Sequence, residues 1–203
     1  MVKQNCLIHC GDHFDNQRRI LPLAIHLKNN GYNPIVLLYS HDGRLFESHG
    51  IETIKYYIYR DSVSLEQKPD FNIDFDDVYY VERYRSPKKF LNSQLNKRKN
   101  ELRRDFLFLF NIIESYSIDI IFIWNGFTGN IANILRCISE KLIIKSYFLE
   151  RGFSRDSLFI DRLGANAASE FSKMTDSELN LCSTDGNAIQ LNRINKNEKE
   201  ENN

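Results

Sequence analysis

The stretch NCLIHCGDHFDNQRRILPLAIHLKNNGYNPIVLLY, Asn5 to Tyr39, decides the fold. Asn5–His9 is a short apolar run of strand length, followed by a polar loop, Cys10–Asn16, that carries Gly11, Asp12, His13 and Asp15. From Gln17 to Asn30 the apolar residues Ile20, Leu21, Leu23, Ala24 and Leu27 recur at helical spacing, and Gly31 is placed as the C-terminal stop. Pro22 inside that pattern predicts either a kink or a helix that begins near it. Pro34–Tyr39 then reads as a second buried strand. A strand, a glycine-bearing loop, a helix and a strand in that order predict an α/β fold: Rossmann-like, doubly wound, with a mainly parallel sheet. One glycine in the first loop is too few for a dinucleotide fingerprint.

Outward from this core, a short helix is expected over Gly43–His49 and a third strand over Glu52–Tyr57. Tyr57–Pro87 has poor periodicity and an acidic patch (Asp70, Asp74, Asp76, Asp77), so it reads as an irregular excursion with a short strand near Val78–Val81. Lys88–Ser117 is clearer. Leu91, Leu95, Leu102, Phe106, Leu109, Phe110 and Ile113 mark a long amphipathic helix whose first half is strongly basic. That basic half is a solvated face or a contact for an anionic glycan or lipid surface. Asp119–Trp124 is a continuous apolar strand, expected to be central and covered on both faces. It runs into Asn125-Gly126, and a helix over Ile131–Glu140 leads to a further strand, Leu142–Leu149.

That last strand breaks into Glu150-Arg151-Gly152-Phe153. Asp161 and Gly164-Ala165-Asn166 follow as an expected turn and helix start. In open α/β sheets ligands bind outside the carboxyl ends of the strands. Two successive strand ends deliver Trp124-Asn125-Gly126 and Glu150-Arg151-Gly152 to one edge, and the His13 loop of the first strand joins them there. The domain is expected over residues 1–172, with a weakly ordered extension over 173–194. The tail 195–203, NKNEKEENN, reads as disordered.

Composition narrows the classes. Of 203 residues, 42% are hydrophobic and 27% charged, as in a soluble globular protein, and the formal charge of zero gives no footprint for a nucleic-acid partner. Cys6, Cys10, Cys137 and Cys182 form no CxxC pair, so reduced thiols in a cytoplasmic protein are expected rather than a zinc site. No metal or cofactor is called for. His9 and His13 sit four apart, but His9 ends a strand and the two do not share a helical face. The N-terminus lacks a signal pattern, and no apolar run approaches the ~20 residues of a membrane span.

The combination of Gly11-Asp12-His13 with Leu21-Pro22-Leu23, Trp124-Asn125-Gly126, and Glu150-x-Gly152-Phe153 before Asp161-x-x-Gly164-Ala165-Asn166 resembles a known family. It is similar to the capsule and lipopolysaccharide polysaccharide-biosynthesis glycosyltransferases, including the β-Kdo transferases. The resemblance spans roughly Asn5–Ser172. It implies the N-terminal, acceptor-side half of a GT-B architecture, in which a second Rossmann-like domain binds the nucleotide-sugar. It further implies a nucleotide-sugar donor, CMP-Kdo among the options, and a glycan or glycolipid acceptor. A separate donor-domain partner and peripheral contact with the inner face of the cytoplasmic membrane are part of the same expectation. The rival reading is a truncated, non-catalytic protein that binds a glycan or a partner. Some relatives carry an acid directly before the motif glycine, where Arg151 stands here.

Glycosyl transfer needs a carboxylate as base or nucleophile. Glu150 and Asp161 are the available acids, with His13 as a further base. Their structural alternatives are a surface pair with Arg151 or Arg155 for Glu150, a cap for Asp161, and a loop hydrogen bond for His13. Trp124, Asn125, Gly126, Arg151, Gly152, Arg155 and Asn166 are the expected substrate-binding residues. Trp124 reads as core or cleft wall sooner than as a sugar-stacking platform. Asn125 and Asn166 could brace loops, and the two arginines could serve structural ion pairs rather than an anionic acceptor group.

Overall fold

Leu7 and Ile8 are adjacent in the sequence and both fully buried, each on a different face of one strand, so both faces of that strand are covered. This strand, β1 (Asn5–His9), lies at the centre of a six-stranded sheet in the order β3-β2-β1-β4-β5-β6. The others are β2 (Asn33–Leu38), β3 (Glu52–Lys55), β4 (Ile118–Trp124), β5 (Lys145–Arg151) and β6 (Leu158–Asp161). The first five are parallel and β6 is antiparallel to β5. The computed structural model describes residues 3–11, 13–39, 42–62, 69, 71–75, 78, 92–126, 129–152 and 157–164. These fall within one compact unit, Met1–Lys173.

The helices wind on both faces. On one side α1 (Phe14–Asn29) and α2 (Arg44–Glu47) bury Ile20, Leu21, Ala24, Leu27 and Phe46 against Cys6, Ile8, Val36, Leu38 and Phe122. The other side carries α3 (Tyr56–Tyr59), α4 (Asn92–Ser115) and α5 (Asn130–Leu142). There Leu102, Phe106, Leu109 and Ile113 of α4 share a core with Leu7, Ile35, Leu37, Ile121 and Ile123. Fully burying one such aliphatic side chain is worth about 1.5–3 kcal/mol. The doubly wound α/β class follows from this alternation of faces.

Local chemistry sets the boundaries. The α1 helix ends in a Schellman motif: Tyr32 N–H donates to the Leu27 carbonyl and Gly31 N–H to that of Lys28, with Gly31 at φ +86°. It begins at Phe14, earlier than the apolar pattern predicts, and runs through Pro22, which has no N–H to offer the Arg18 carbonyl. Third strand β3 stops at Lys55, because Tyr56 turns into α3. Val78 is not in a strand: its N–H donates to the Asp74 carbonyl at 3.2 Å, an i to i−4 helical bond. The aspartates before it suit a helix start better than a strand. Residues 79–81 and 88–91 lie outside the described residues. The long helix accordingly starts, in the structure, at Asn92.

The largest departure is at the last two strands. The β5 strand continues through Glu150 and Arg151, which pair with Phe159 and Leu158. Leu158–Asp161 forms the antiparallel edge strand β6, where Asp161 was expected to open a turn. Next to that pairing Gly152 N–H donates to the Ser157 carbonyl at 3.0 Å.

Candidate functional site

The strand order reverses between β1 and β4, so the switch point where open α/β sheets bind ligands lies at the ends of these two strands. After β1 the chain turns at Gly11, with φ +69°. A Cβ at Gly11 would stand 2.9 Å from Trp124 Cδ1 and 3.1 Å from Asn16 Nδ2, so the end of β4 and the first turn of α1 both close on this glycine. Trp124 is buried and forms the wall here rather than an exposed stacking platform. Asn125 stands at φ +59°, a conformation asparagine tolerates better than most residues, and its N–H donates to the Leu149 carbonyl at 2.8 Å. Gly126 is buried where a Cβ would meet Phe148 Cδ1 at 2.4 Å. Its lack of a side chain is a packing requirement.

Glu150 is half-buried and Arg151 exposed. By strand alternation Glu150 lies on the same sheet face as Phe148, the face covered by α4 and α5. Asp161 pairs with Phe148 and Glu150 with Phe159, so the two acidic residues are diagonal neighbours on one face of the sheet. Asp161 is buried, and its Oδ1 accepts Leu163 N–H at 2.7 Å and Gly164 N–H at 3.2 Å. This is the capping alternative for Asp161, made within its own turn. His13 is exposed at the N-cap of α1 and makes no side-chain cap bond, while its carbonyl accepts Asn16 N–H at 2.9 Å. Arg155 and Asn166 lie outside the described residues, as do Asp12, Phe153 and Ala165. So do the extension and the tail.

Two features of this edge were not predicted as sites. His9, the last residue of β1, is buried between Leu37 and Ile123, and neither ring nitrogen has a hydrogen-bond partner among the described residues. Burial holds its pKa down, to about 4, so the imidazole is neutral at physiological pH. In the first turns of α1, Asn16 and Gln17 are also buried, and Asn16 Oδ1 and Gln17 Oε1 are likewise unpartnered among the described residues. Helical spacing hinted at this, since Asn16 and Gln17 fall on the same stripe as Ile20, Leu21 and Ala24.

The second feature lies along the same edge. Tyr39 packs on His9 at 5.9 Å between ring centroids and on Tyr56 at 5.0 Å. Tyr56 Oη donates to Asp105 Oδ1 at 2.5 Å, and Arg60 Nε donates to the same oxygen. Burial pushes the Asp105 carboxyl above its ordinary value against the pull of Tyr56 and Arg60, and burial with the nearby carboxylate pushes the Tyr56 phenol far up. Nothing in the sequence marks residues 56, 60 and 105 as partners, because 49 positions separate Tyr56 from Asp105.

The basic half of α4 is partly paired: Arg98 meets Glu101 at 2.6 Å and Arg104 meets Asp61 at 3.6 Å, while Lys97, Lys99 and Arg103 are exposed. Among the described residues no cluster of three or more His, Cys, Asp or Glu could hold a metal, and no helix is long and apolar enough to cross a membrane. Cys6 and Cys10 are buried free thiols, and burial raises that of Cys6 to about 12, with Asp119 adding to the shift.

No protein-family model and no curated protein matches the sequence. Among solved structures, the glycosyltransferase SsfS6 of Streptomyces sp. SF2575 aligns at 11% identity and a TM-score of 0.42. The alignment covers 71% of this chain, which spans only 38% of the length of that enzyme. The same values hold for SsfS6 complexed with thymidine diphosphate. The pantoate-beta-alanine ligase of Francisella tularensis, complexed with beta-gamma ATP and beta-alanine, aligns at 10% identity and a TM-score of 0.40, over 89% of this chain and 68% of its own. Near-equal scores for two enzymes of unrelated chemistry do not discriminate between them.

Proposed function

We propose that this chain is the acceptor-side, Rossmann-like part of a GT-B-type glycosyltransferase of bacterial surface-polysaccharide assembly. The observation that carries the reading is the closure of Gly11, Asn16 and Trp124 at the switch point, with Glu150 at the end of the neighbouring strand. That arrangement suits a polar ligand lying over the ends of β1, β4 and β5. The motif resemblance around Trp124-Asn125-Gly126 and Glu150-x-Gly152 supplies the substrate class: a glycan or glycolipid acceptor, with a nucleotide-sugar donor such as CMP-Kdo held by a separate domain. Glu150 is the carboxylate kept for base or nucleophile chemistry. Peripheral membrane contact through Lys97, Lys99 and Arg103 fits a lipid-linked acceptor.

A second reading, a binding protein without chemistry of its own, is favoured by Asp161. Its carboxylate oxygen is engaged with two backbone N–H groups, which takes it out of base or nucleophile chemistry. Both readings are tested with the chain's single tryptophan, which forms the crevice wall. Trp124 emission and calorimetric heat are followed on adding a delipidated lipopolysaccharide core oligosaccharide, CMP, UDP and thymidine diphosphate. The acceptor-side reading expects saturable binding of the oligosaccharide, with Glu150→Gln abolishing transfer once a donor domain is supplied. A binding protein keeps oligosaccharide affinity and shows no transfer. Silence with every ligand overturns both.

A further inference from the structure

We infer that α3 is a membrane-docking element: Tyr57, Ile58 and Tyr59 enter the interface of an anionic bilayer while the basic turns of α4 beside them hold its headgroups. This rests on the peripheral-contact part of the reading above and names the element that inserts.

Tyr56-Tyr57-Ile58-Tyr59 is a single apolar turn of helix, and only Tyr56 finds a place in the core. Tyr57, Ile58 and Tyr59 are 57%, 64% and 54% exposed. Single exposed apolar residues are ordinary, but three in succession form a contiguous patch. The turn is anchored on both sides. Arg60, the next residue, bonds Asp105 and the Glu101 carbonyl of α4, and Tyr57 packs on Tyr39 and Tyr56 with centroids 5.9 and 5.2 Å apart. Tyr39 packs in turn on His9 at the end of β1, so the patch belongs to the carboxyl edge of the sheet, where the crevice opens.

Charge selects the partner. Residues 56–62 and 92–105 hold six cations (Arg60, Lys97, Arg98, Lys99, Arg103 and Arg104) and three acids, Asp61, Glu101 and Asp105. Each acid is engaged by an arginine: Asp61 by Arg104 at 3.6 Å, Glu101 by Arg98 at 2.6 Å, and Asp105 by Arg60. Lys97, Lys99 and Arg103 remain, all exposed and without an ion pair among the described residues. Lys97 is one helical turn from Glu101 and two from Arg104, so it stands on the α4 face that meets the turn after α3. Excess positive charge beside tyrosines suits an anionic headgroup layer, in which a tyrosine ring lies at the apolar boundary with its hydroxyl in water. Geometry favours a fluid layer over a protein. Successive helix residues point about 100° apart, so the three side chains splay instead of forming one stripe. A folded partner would have to wrap α3, whereas lipid closes around any shape.

The full chain is sedimented with vesicles of phosphatidylcholine alone and of phosphatidylcholine with phosphatidylglycerol. Binding to the mixed vesicles only is expected. Ile58→Ser/Tyr59→Ser should weaken it about tenfold, and Lys97→Gln/Lys99→Gln/Arg103→Gln about a hundredfold at low salt. Tyr57 is left in place because it packs on Tyr39 and Tyr56. In Ile58→Trp, the new indole's emission should move to the blue on the mixed vesicles and be quenched by brominated lipid, above the constant signal of buried Trp124. Binding that the charge variant loses and Ile58→Ser/Tyr59→Ser keeps, with Ile58→Trp unquenched, overturns the inference and leaves the electrostatic contact of α4 standing. Equal binding to neutral vesicles overturns the assignment to an anionic surface. No binding to either vesicle overturns both the insertion and the peripheral contact. Self-association that Ile58→Ser/Tyr59→Ser breaks, without vesicle binding, assigns the patch to a second copy and overturns the inference as well.

Discussion

His9 and Asp105 are equally buried, each 4% exposed, and they lie on the same side of the sheet, linked through the rings of Tyr39 and Tyr56. Asp105 has two partners and His9 has none among the described residues. The difference separates two uses of a buried polar group. The Tyr56–Asp105–Arg60 set is complete within the chain, so it fastens α3 and the turn after it to α4. His9 by contrast is buried at a cost, with both ring nitrogens unpartnered among the described residues. Burial acts on both in the direction of neutrality, lowering the His9 pKa and raising that of Asp105.

The largest effect should come from breaking the complete set. Asp105→Ala leaves the Arg60 guanidinium, with 18% of its side chain exposed, beside an empty site. Removing one member of a buried pair costs about 3–5 kcal/mol, which lowers the melting temperature of a chain this size by about 10 °C. A loss near zero would mean that Asp105 is as expendable as a surface acid, and the contrast with His9 would collapse.

Acidification probes the incomplete end. The folded His9 pKa of about 4 lies below its ordinary 6.5, so the unfolded chain takes up the proton first as pH falls. The stability His9 contributes is fully present above pH 6.5 and is lost as pH falls to about 4, in all about 3 kcal/mol. Asp105 has the opposite sign: with its pKa raised, its share is present in acid and is lost as pH rises through the folded value. The acid limb between these limits should therefore flatten in His9→Phe. Parallel limbs for the two proteins would show that the imidazole is hydrated in the fold.

A smaller change within the complete set is Tyr56→Phe. It removes one donor from a carboxylate that keeps Arg60, for a cost of about 2 kcal/mol. The order Asp105→Ala above Tyr56→Phe is the diagnostic point, and a reversed order would assign the fastening to the phenol packing rather than to the charge.

The elements legible in the sequence are those whose apolar residues face one neighbour each. Ile20, Leu21, Ala24 and Leu27 marked α1, and Leu102, Phe106, Leu109 and Ile113 marked α4, because their period alone places them in the core. The continuous run to Trp124 marked a central strand for the same reason. Leu158–Asp161 was not legible. A short edge strand has one paired side, and its register comes from Glu150 and Arg151 rather than from its own pattern. The site was legible as a place and not as a set of atoms. Strand ends and glycines located the crevice, whereas the lack of partners at His9, Asn16 and Gln17 depends on what three dimensions bring near them.

Gly11→Ala is the finest of these probes, because it perturbs the crevice without touching a polar group. An alanine at φ +69° is strained by about 1–2 kcal/mol, and its Cβ would lie 2.9 Å from Trp124 Cδ1. Something must shift, and Trp124 sits on the rigid end of β4, paired to Leu149. If the indole gives way, emission of the single tryptophan moves to the red as the ring leaves its buried setting, and the protein loses about 2 kcal/mol. If Asn16 gives way instead, emission holds while stability still falls. Unchanged emission, binding and stability together would mean that the Gly11 turn is not pressed between Trp124 and Asn16, and the wall of the crevice would have to be drawn elsewhere.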